Sequence, residues 1–270
     1  MKEFKNRVAV VTGGGSGIGA AMAQAFAREG MRIVLADIEQ AAMDATAAAI
    51  GGDVLTVRAD VTRLDDVQTL ADRAFNHFGG VHVLCNNAGV VTVGAMDTMT
   101  HRDWQWVLGV NLWGVIHGIE AFVPRMIAQG QGGHIVNTGS MAGLVPMQGM
   151  GIYVTSKYAV VGLSETLQRD LSQYGIGVSV LCPMVVNTNI NAAARNRPPE
   201  LRNPGEEFVT PPQMAMVGGI IEAGEVAERV VAAVKANDLY VLTHTAQREL
   251  IRRRFERLDR TAAKVETGAG

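Results

Sequence analysis

The chain has 270 residues, of which 48% are hydrophobic and 19% are charged, and its formal net charge is −2. This balance is typical of a globular protein with a large core and argues against a disordered chain. The small net charge predicts no general attraction to nucleic acid or to an anionic membrane, and no apolar run approaches the ~18–20 residues of a spanning helix.

Short apolar runs alternate with helical segments along the chain. The predicted strands, rich in Val, Ile and Leu, are 8–12, 32–37, 54–60, 81–86, 134–139, 177–182 and 239–243. The predicted crossover helices include 17–29, 41–50, 65–78, 104–129 and 154–174. Because near-continuous apolar strands are covered on both faces, we expect one doubly wound parallel sheet of about seven strands, with helices on both faces, in a single α/β domain over residues 1–270.

The segment 184–224 interrupts this alternation and carries five of the eight prolines. It follows a strand, so it should leave the sheet at the carboxyl edge, where ligands of open α/β sheets bind. A connection of this length in a compact domain is usually functional, and we expect it to cover a substrate. Elsewhere, Cys85 and Cys182 end apolar runs, which predicts buried free thiols in a reducing cytoplasm.

The first strand runs into the glycine-rich stretch T-G-G-G-S-G-I-G at 12–19. Glycines let backbone N–H groups approach an anion closely, and the helix that follows presents its positive end to a pyrophosphate. A merely flexible turn is the alternative interpretation. The cofactor contacts predicted here are Gly13, Ser16, Gly17, Ile18 and Gly19.

The second strand ends at Asp37, whose carboxylate is placed to bind ribose hydroxyls and to repel the extra phosphate of NADP. Ile38 follows it, and no Lys or Arg stands at 14–16, so we predict NAD in preference to NADP. The alternative role for Asp37 is an N-cap of the next helix. Contacts or turn residues are expected after the third and fourth strands, at Asp60, Val61, Asn87, Ala88 and Gly89.

Tyr153 and Lys157 stand four residues apart in Y-V-T-S-K and would share one face of a helix. A free tyrosine has a pKa of about 10, too high for an efficient base near neutral pH. One positive charge at about 4 Å supplies roughly 4 kcal/mol at an effective dielectric near 20, which would lower that pKa by about three units. A satisfied core phenol is the alternative for Tyr153.

Together these motifs resemble the short-chain dehydrogenase/reductase family over essentially the whole chain. N-N-A-G at 86–89 and V-N-L-W-G at 110–114 stand between the glycine stretch and Y-V-T-S-K, and Ser140 precedes Tyr153 by 13 residues. The resemblance implies a Rossmann-type, nucleotide-binding fold, hydride transfer between a nicotinamide and an alcohol or carbonyl, and a homotetramer or dimer.

The resemblance also implies a role for each motif residue. Tyr153 would be the general acid/base, and Lys157 would bind the nicotinamide ribose and lower the tyrosine pKa. Ser140 would bind the substrate oxygen, and Asn111 would hold a water in a proton relay. The further cofactor contacts that the resemblance implies are Tyr153, Lys157, Pro183, Val186 and Thr188.

Met184 stands where the family usually has glycine, so either the turn differs here or this side chain projects toward the substrate. The other candidate pocket residues, chosen by position, are Val91, Val93, Met141, Leu144, Met147, Met150 and Met214. No arginine is evidently placed for a carboxylate or phosphate, although Arg195 and Arg197 could serve. The six histidines lack metal-ligand spacing, and no metal site is predicted.

The stretches 109–118, 122–130 and 174–183 also resemble bacterial aryl-alcohol dehydrogenases that act on lignin-derived compounds. With the apolar, adaptable pocket, this favours a secondary alcohol or ketone with a bulky apolar or aromatic body. One alternative is a β-ketoacyl thioester (acyl-carrier-protein) reductase, and another is a non-catalytic dinucleotide-sensing module. The basic run 252–257 is interpreted as a solvated helix face.

Overall fold

The computed structural model describes residues 1–205 and 218–266. The strands are β1 Val8–Thr12, β2 Arg32–Asp37, β3 Val54–Arg58, β4 Val83–Asn86, β5 Gly133–Thr138, β6 Ile176–Cys182, β7 Val186–Asn187, β8 Ile221–Glu222 and β9 Tyr240–Leu242. Seven of them form one parallel sheet in the order β3-β2-β1-β4-β5-β6-β9. The predicted fold class is therefore confirmed, and the strand order reverses between β1 and β4, where open α/β sheets bind ligands.

The helices are α1 Gly17–Arg28, α2 Gln40–Ile50, α3 Leu64–Phe78, α4 His101–Leu108, α5 Gly114–Gln129, α6 Gly151–Leu171, α7 Ala223–Ala236 and α8 Gln247–Glu266. They cover the two faces of the sheet with separate apolar clusters. Ala9 and Val11 pack in one cluster with α1 and α7, whereas Val8 and Val10 pack in the other with α3 and α5. Successive residues of a strand point to opposite faces, so this division follows directly from β1.

The predicted helix 104–129 is two helices joined by a π-helical turn at Gly109–Trp113. It also begins earlier, because Thr100 and Asp103 form a capping box at the start of α4. The run His101–Gln129 is long and apolar enough to cross a membrane by length and composition, with a window hydropathy of 1.4. The sequence expectation considered only uninterrupted apolar runs and missed it. Since 56% of that window is buried inside the fold, the run has the character of a core helix.

The described part of segment 184–224 has little regular structure. β7 pairs in parallel with β8, and two short 3₁₀ turns, Ile190–Asn196 and Pro199–Leu201, lie between them. Residues 206–217, which include the predicted pocket residue Met214, lie outside the described residues. The prediction of one domain with a covering segment therefore stays a prediction.

Candidate active site

The loop between β1 and α1 forms a cradle at the carboxyl edge of the sheet. Gly13 and Gly17 have φ angles of 64° and 54°, a region that glycine enters without strain. A Cβ on Gly19 would lie 2.1 Å from the Gly13 carbonyl oxygen, so the first turn of α1 packs directly on the loop. Because the first N–H groups of a helix have no intrahelical partners, this end of α1 is suited to an anion.

Asp37 ends β2 beside the cradle. Its Oδ2 accepts a hydrogen bond from the Gly15 N–H at 3.0 Å, and its Oδ1 accepts one from the Glu39 N–H at 3.1 Å. The N-cap of α2 is Glu39, so Asp37 does not have the alternative capping role. Each carboxylate oxygen can accept a second hydrogen bond, which leaves Asp37 able to bind hydroxyl groups.

The residues after β3 and β4 both stabilise their turns and line the cavity. The Asn87 N–H donates to Thr12 Oγ1 at 2.9 Å, and its Nδ2 donates to the Thr12 carbonyl at 3.0 Å. Asp60 Oδ1 accepts from the Thr62 N–H at 2.9 Å and from its hydroxyl at 2.8 Å. Asn87 thus braces the cradle, and Asp60 stabilises its own turn.

Tyr153, Lys157 and Ser140 meet where β5 approaches α6. The first two lie one helical turn apart on α6, with Lys157 Nζ 5.6 Å from the centroid of the Tyr153 ring. Lys157 Nζ also donates a hydrogen bond to the Thr138 carbonyl at 2.8 Å. Ser140 Oγ accepts one from the Ala142 N–H at 3.1 Å. The Ser140 side chain also hydrogen-bonds Tyr153, a contact that lowers the pKa of the phenol.

Burial moves the pKa values of the tyrosine and the lysine in opposite directions. Desolvation raises the pKa of Tyr153; the Ser140 side chain opposes this shift and the Cys182 thiol adds to it. Lys157 is 3% exposed, and desolvation lowers its pKa to about 8. The net shift of the phenol is therefore opposite to the one expected from Lys157 alone, because the cost of burying a phenolate dominates.

Asn111 lies in the π-helical turn and is 1% exposed. Its Oδ1 accepts from the Val90 N–H at 2.8 Å, and its Nδ2 donates to the Val90 carbonyl at 2.9 Å and to Ser156 Oγ at 3.2 Å. Ser156 in turn donates to the Tyr153 carbonyl at 2.7 Å. The side chain thus ties the loop after β4 to the helix of Tyr153, and the predicted role in holding a water stays a prediction.

A cavity of about 520 Å³ extends from the cradle to Tyr153. The predicted site residues that line it are Gly13, Ser16, Gly17, Ile18, Asp37, Ile38, Asp60, Val61, Asn87, Ala88, Gly89, Ser140, Tyr153, Lys157, Pro183, Val186 and Thr188. Gly19 and Asn111 instead support the wall from behind. Residues from distant parts of the sequence therefore converge on one groove at the point where the strand order reverses.

Several apolar side chains line this cavity. The predicted substrate contacts found there are Val91, Val93, Met141, Met147, Met150 and Met184. Leu144 packs instead against an apolar cluster that includes Val160 and Val161. Sequence reasoning missed Trp106, Pro198 and Leu201, which also line the cavity. The T-x-x-D capping box before Trp106 was a usable signal for the helix that carries it.

Two arginines of the covering segment are committed to ion pairs. Arg195 pairs with Glu39 at 2.6 Å, and the same carboxylate oxygen accepts a hydrogen bond from Asn196 at 2.7 Å. Arg197, whose side chain is 1% exposed, pairs with Asp103 at 2.8 Å. Both arginines anchor the segment, one beside β2 and the other at α4. Arg195 also lines the cavity, so its possible role as an anion ligand stays a prediction.

Met184 avoids the strain that a glycine-type turn would impose. Within residues 1–205 and 218–266, the non-glycine residues with positive φ are Asn6 and Asn237, so the turn at Met184 has an ordinary backbone conformation. The Met184 N–H donates to Thr243 Oγ1 at 3.3 Å. Next to this turn, Gln247 Nε2 donates a hydrogen bond to the carbonyl of Cys182, the last residue of β6, at 2.7 Å. Met184 therefore fits its turn without strain and lines the cavity, and a contact between its side chain and the substrate stays a prediction.

The sheet, its strand order and the cradle define a Rossmann-type α/β protein. The family model described as short chain dehydrogenase matches residues 7–199. The chain belongs to the short-chain dehydrogenase/reductase family, a family of oxidoreductases.

Relatives match along nearly the full length of the chain. A C alpha-dehydrogenase from a Sphingobium species is 35% identical over 99% of this chain and 90% of its own. A short-chain dehydrogenase/reductase from Burkholderia phymatum, solved in complex with NAD, is 42% identical with a TM-score of 0.90 over 97% of each chain. A 3-ketoacyl-(acyl-carrier-protein) reductase from Brucella melitensis, solved with NADH, is 25% identical with a TM-score of 0.74 over 88% of this chain and 96% of its own.

Proposed function

We propose that this protein transfers a hydride between NAD(H) and a secondary alcohol or ketone that has a bulky apolar or aromatic body. The observation that carries the proposal is the meeting of Tyr153, Lys157 and Ser140 in the same cavity as the glycine cradle. A phenol, an ammonium and a hydroxyl in one buried place provide the proton transfer that accompanies hydride transfer.

The cavity fits a dinucleotide along its length. The positive φ angles of Gly13 and Gly17 open the cradle for a pyrophosphate, and Asp37 offers acceptors to an adenosine ribose. Lys157 has two protons left for the nicotinamide ribose after its bond to Thr138. When bound, the nicotinamide supplies or accepts the hydride. NAD in the Burkholderia phymatum relative supports this fit, and the uncompensated charge of Asp37 favours NAD over NADP.

Each catalytic side chain has one task in this proposal. Ser140, hydrogen-bonded to Tyr153 in the protein alone, turns its hydroxyl proton to the substrate oxygen and holds that oxygen beside Tyr153. Tyr153 gives a proton to that oxygen in ketone reduction and takes it back in alcohol oxidation. Lys157 favours the phenolate form electrostatically, with its ammonium 5.6 Å from the centroid of the ring. Asn111 positions α6 through Ser156.

The apolar wall supports the substrate class. Val91, Met147, Met150, Trp106 and Leu201 are among the residues that line the cavity with Tyr153. Arg197 is buried in its ion pair with Asp103, whereas Arg195, paired with Glu39, also lines the cavity. Methionine and aromatic side chains adapt to ring-shaped or branched hydrocarbon bodies.

The second candidate function is that of a β-ketoacyl thioester reductase. Cofactor choice does not distinguish it from an alcohol dehydrogenase. The Brucella melitensis reductase with that name was solved with NADH, so use of NADH by this protein would not exclude the alternative. Substrate preference is therefore the discriminating property. The non-catalytic sensor is disfavoured because a sensor has no need of a buried phenol beside a lysine and a serine.

A substrate panel tests the proposal. Purified protein is given secondary aryl and alicyclic alcohols, small polyols and, in the reductive direction, an acetoacetyl thioester, each with both nicotinamide cofactors. We expect NADH formation, followed at its absorbance band, with the bulky alcohols and NAD. Activity confined to polyols or to the thioester would overturn the substrate class, and no activity with any substrate would favour the sensor.

A further inference from the structure

The last helix, α8, leaves the body of the protein after its first two turns. Gln247 is fully buried and Ile251 is half-buried, but every residue from 255 to 266 is exposed. A helix of this length gains most of its stability from packing, since isolated helices of about 12–15 residues are marginal in water. The exposed half of α8, residues 255–266, therefore buries little apolar surface against the described part of the chain.

That half carries an apolar stripe with coiled-coil spacing. Ile251, Phe255, Leu258, Ala262 and Val265 follow one another at alternating intervals of four and three residues. Phe255, Leu258 and Val265 are 56%, 50% and 81% exposed. This interval is that of the seam positions of a two-stranded coil, whose side chains interlock with those of a second helix.

The charges beside the stripe identify what the second helix is. Arg252 and Asp259 stand seven residues apart on the same flank of the seam, and both line a shallow groove with Phe255 and Leu258. Arg252 already pairs with Glu249 at 2.9 Å and Glu256 at 2.7 Å on its own helix, but its side chain is 59% exposed and can accept a further acidic neighbour. If the same helix of a second copy packs antiparallel, the Phe255 of each copy meets the Leu258 of the other. Arg252 of each copy then faces Asp259 of the other, so the surface is complementary to itself under two-fold symmetry.

We infer that α8 is a homotypic interface in which two copies of this chain pair their last helices antiparallel. A helix that binds an anionic membrane would carry basic residues on both flanks of its apolar stripe. Here Glu256 and Asp259 lie in the groove itself. Acidic groups in contact with the apolar stripe suit a protein partner with matching cations, and α8 supplies them.

Charge exchange between two variants tests this pairing. Arg252→Glu gives a chain with two acids on the flank, and Asp259→Arg gives a chain with two bases. Each variant alone should assemble at least about tenfold more weakly than the wild type, because like charges face each other twice. An equimolar mixture of the two should recover assembly, since both contacts become opposite in sign. The double variant, Arg252→Glu with Asp259→Arg, should recover it in a single chain.

Sedimentation velocity over a range of concentrations measures the result, with circular dichroism to verify that each variant is folded. Arg260→Glu is the matched control: it makes the same charge change on the outer face of α8 and should assemble like the wild type. The inference is overturned if the wild type is monomeric at all concentrations, or if the single variants assemble normally. It is also overturned if mixing restores nothing, or if α8 instead drives binding to vesicles of phosphatidylserine and phosphatidylcholine.

Discussion

Lys157 Nζ lies 5.6 Å from the centroid of the Tyr153 ring, and both side chains are buried in the wall of one cavity. Burial acts against the charged form of each, raising the pKa of Tyr153 and lowering that of Lys157 to about 8. The protein alone therefore holds the phenol protonated near neutral pH, as ketone reduction requires. Alcohol oxidation requires the phenolate, which the positive charge of an oxidised nicotinamide would favour.

The pH dependence of the two directions should therefore be opposite. We expect kcat/KM for oxidation to rise with pH and that for reduction to fall, through a shared ionisation of Tyr153. Because the Ser140 side chain lowers the pKa of Tyr153, Ser140→Ala should move the oxidation profile to higher pH as well as reducing the rate. Thr155→Ala, at an exposed position of α6, is the control and should leave the profile in place. An unshifted profile in Ser140→Ala would contradict this assignment.

Lys157 should make stability depend on pH in a defined window. Its pKa is about 8 in the folded protein, against 10.5 ordinarily, so between these values the unfolded chain binds more protons and stability rises with pH. Relative to Lys157→Met, the wild type should gain roughly 2 kcal/mol of unfolding free energy between pH 7 and pH 10. Urea denaturation at both pH values measures the difference. A constant difference would show that the lysine is not desolvated.

Exchange of the residues after β2 should change cofactor preference. Asp37→Ala with Ile38→Arg removes the carboxylate and adds a cation, so the ratio of kcat/KM for NADP to that for NAD should rise by at least about tenfold. Asp44→Ala, which removes an exposed carboxylate from α2, is the control and should leave the ratio unchanged. The role of Asp37 would be refuted by an unchanged ratio in the double variant.

The two arginines that anchor the covering segment should differ in their effect on stability. Arg197→Met leaves the buried Asp103 carboxylate without its ion-pair partner and should cost about 3 kcal/mol. Arg195→Met breaks the half-exposed pair with Glu39 and should cost less than about 1 kcal/mol. Urea denaturation of both variants makes the comparison. Equal costs would mean that Arg197 does not anchor the segment.

Local patterns were sufficient to predict most of the fold and the residues of the groove. The seven strands and the glycine cradle have strong short-range signals, and the order of elements fixes which loops meet at the carboxyl edge. The spacing of Tyr153 and Lys157 correctly predicted a shared helical face, because four residues are one turn.

The predictions that were wrong or missing concern features that depend on tertiary contacts. Arg197 has its partner Asp103 far away in the sequence, so nothing local marks it as buried. The π-helical turn around Asn111 keeps the helical direction and leaves the apolar pattern intact, so one helix was predicted where there are two. The sequence predicted a lowered pKa for Tyr153, whereas burial raises it in the protein without cofactor. The spacing of Tyr153 and Lys157 indicates that a charge is near but gives no information on how deeply the phenol is buried.

The central claim is that Tyr153 exchanges the proton that accompanies hydride transfer. Single-turnover oxidation of a responsive alcohol tests it most directly, measured with Tyr153→Phe and, as the matched control, with Tyr158→Phe, a half-buried phenol of α6 that does not line the cavity. We expect the first variant to lose at least about 10²-fold in the chemical step while binding NADH normally, and the second to react like the wild type. A Tyr153→Phe protein that reacts within a few-fold of the wild-type rate would contradict the account.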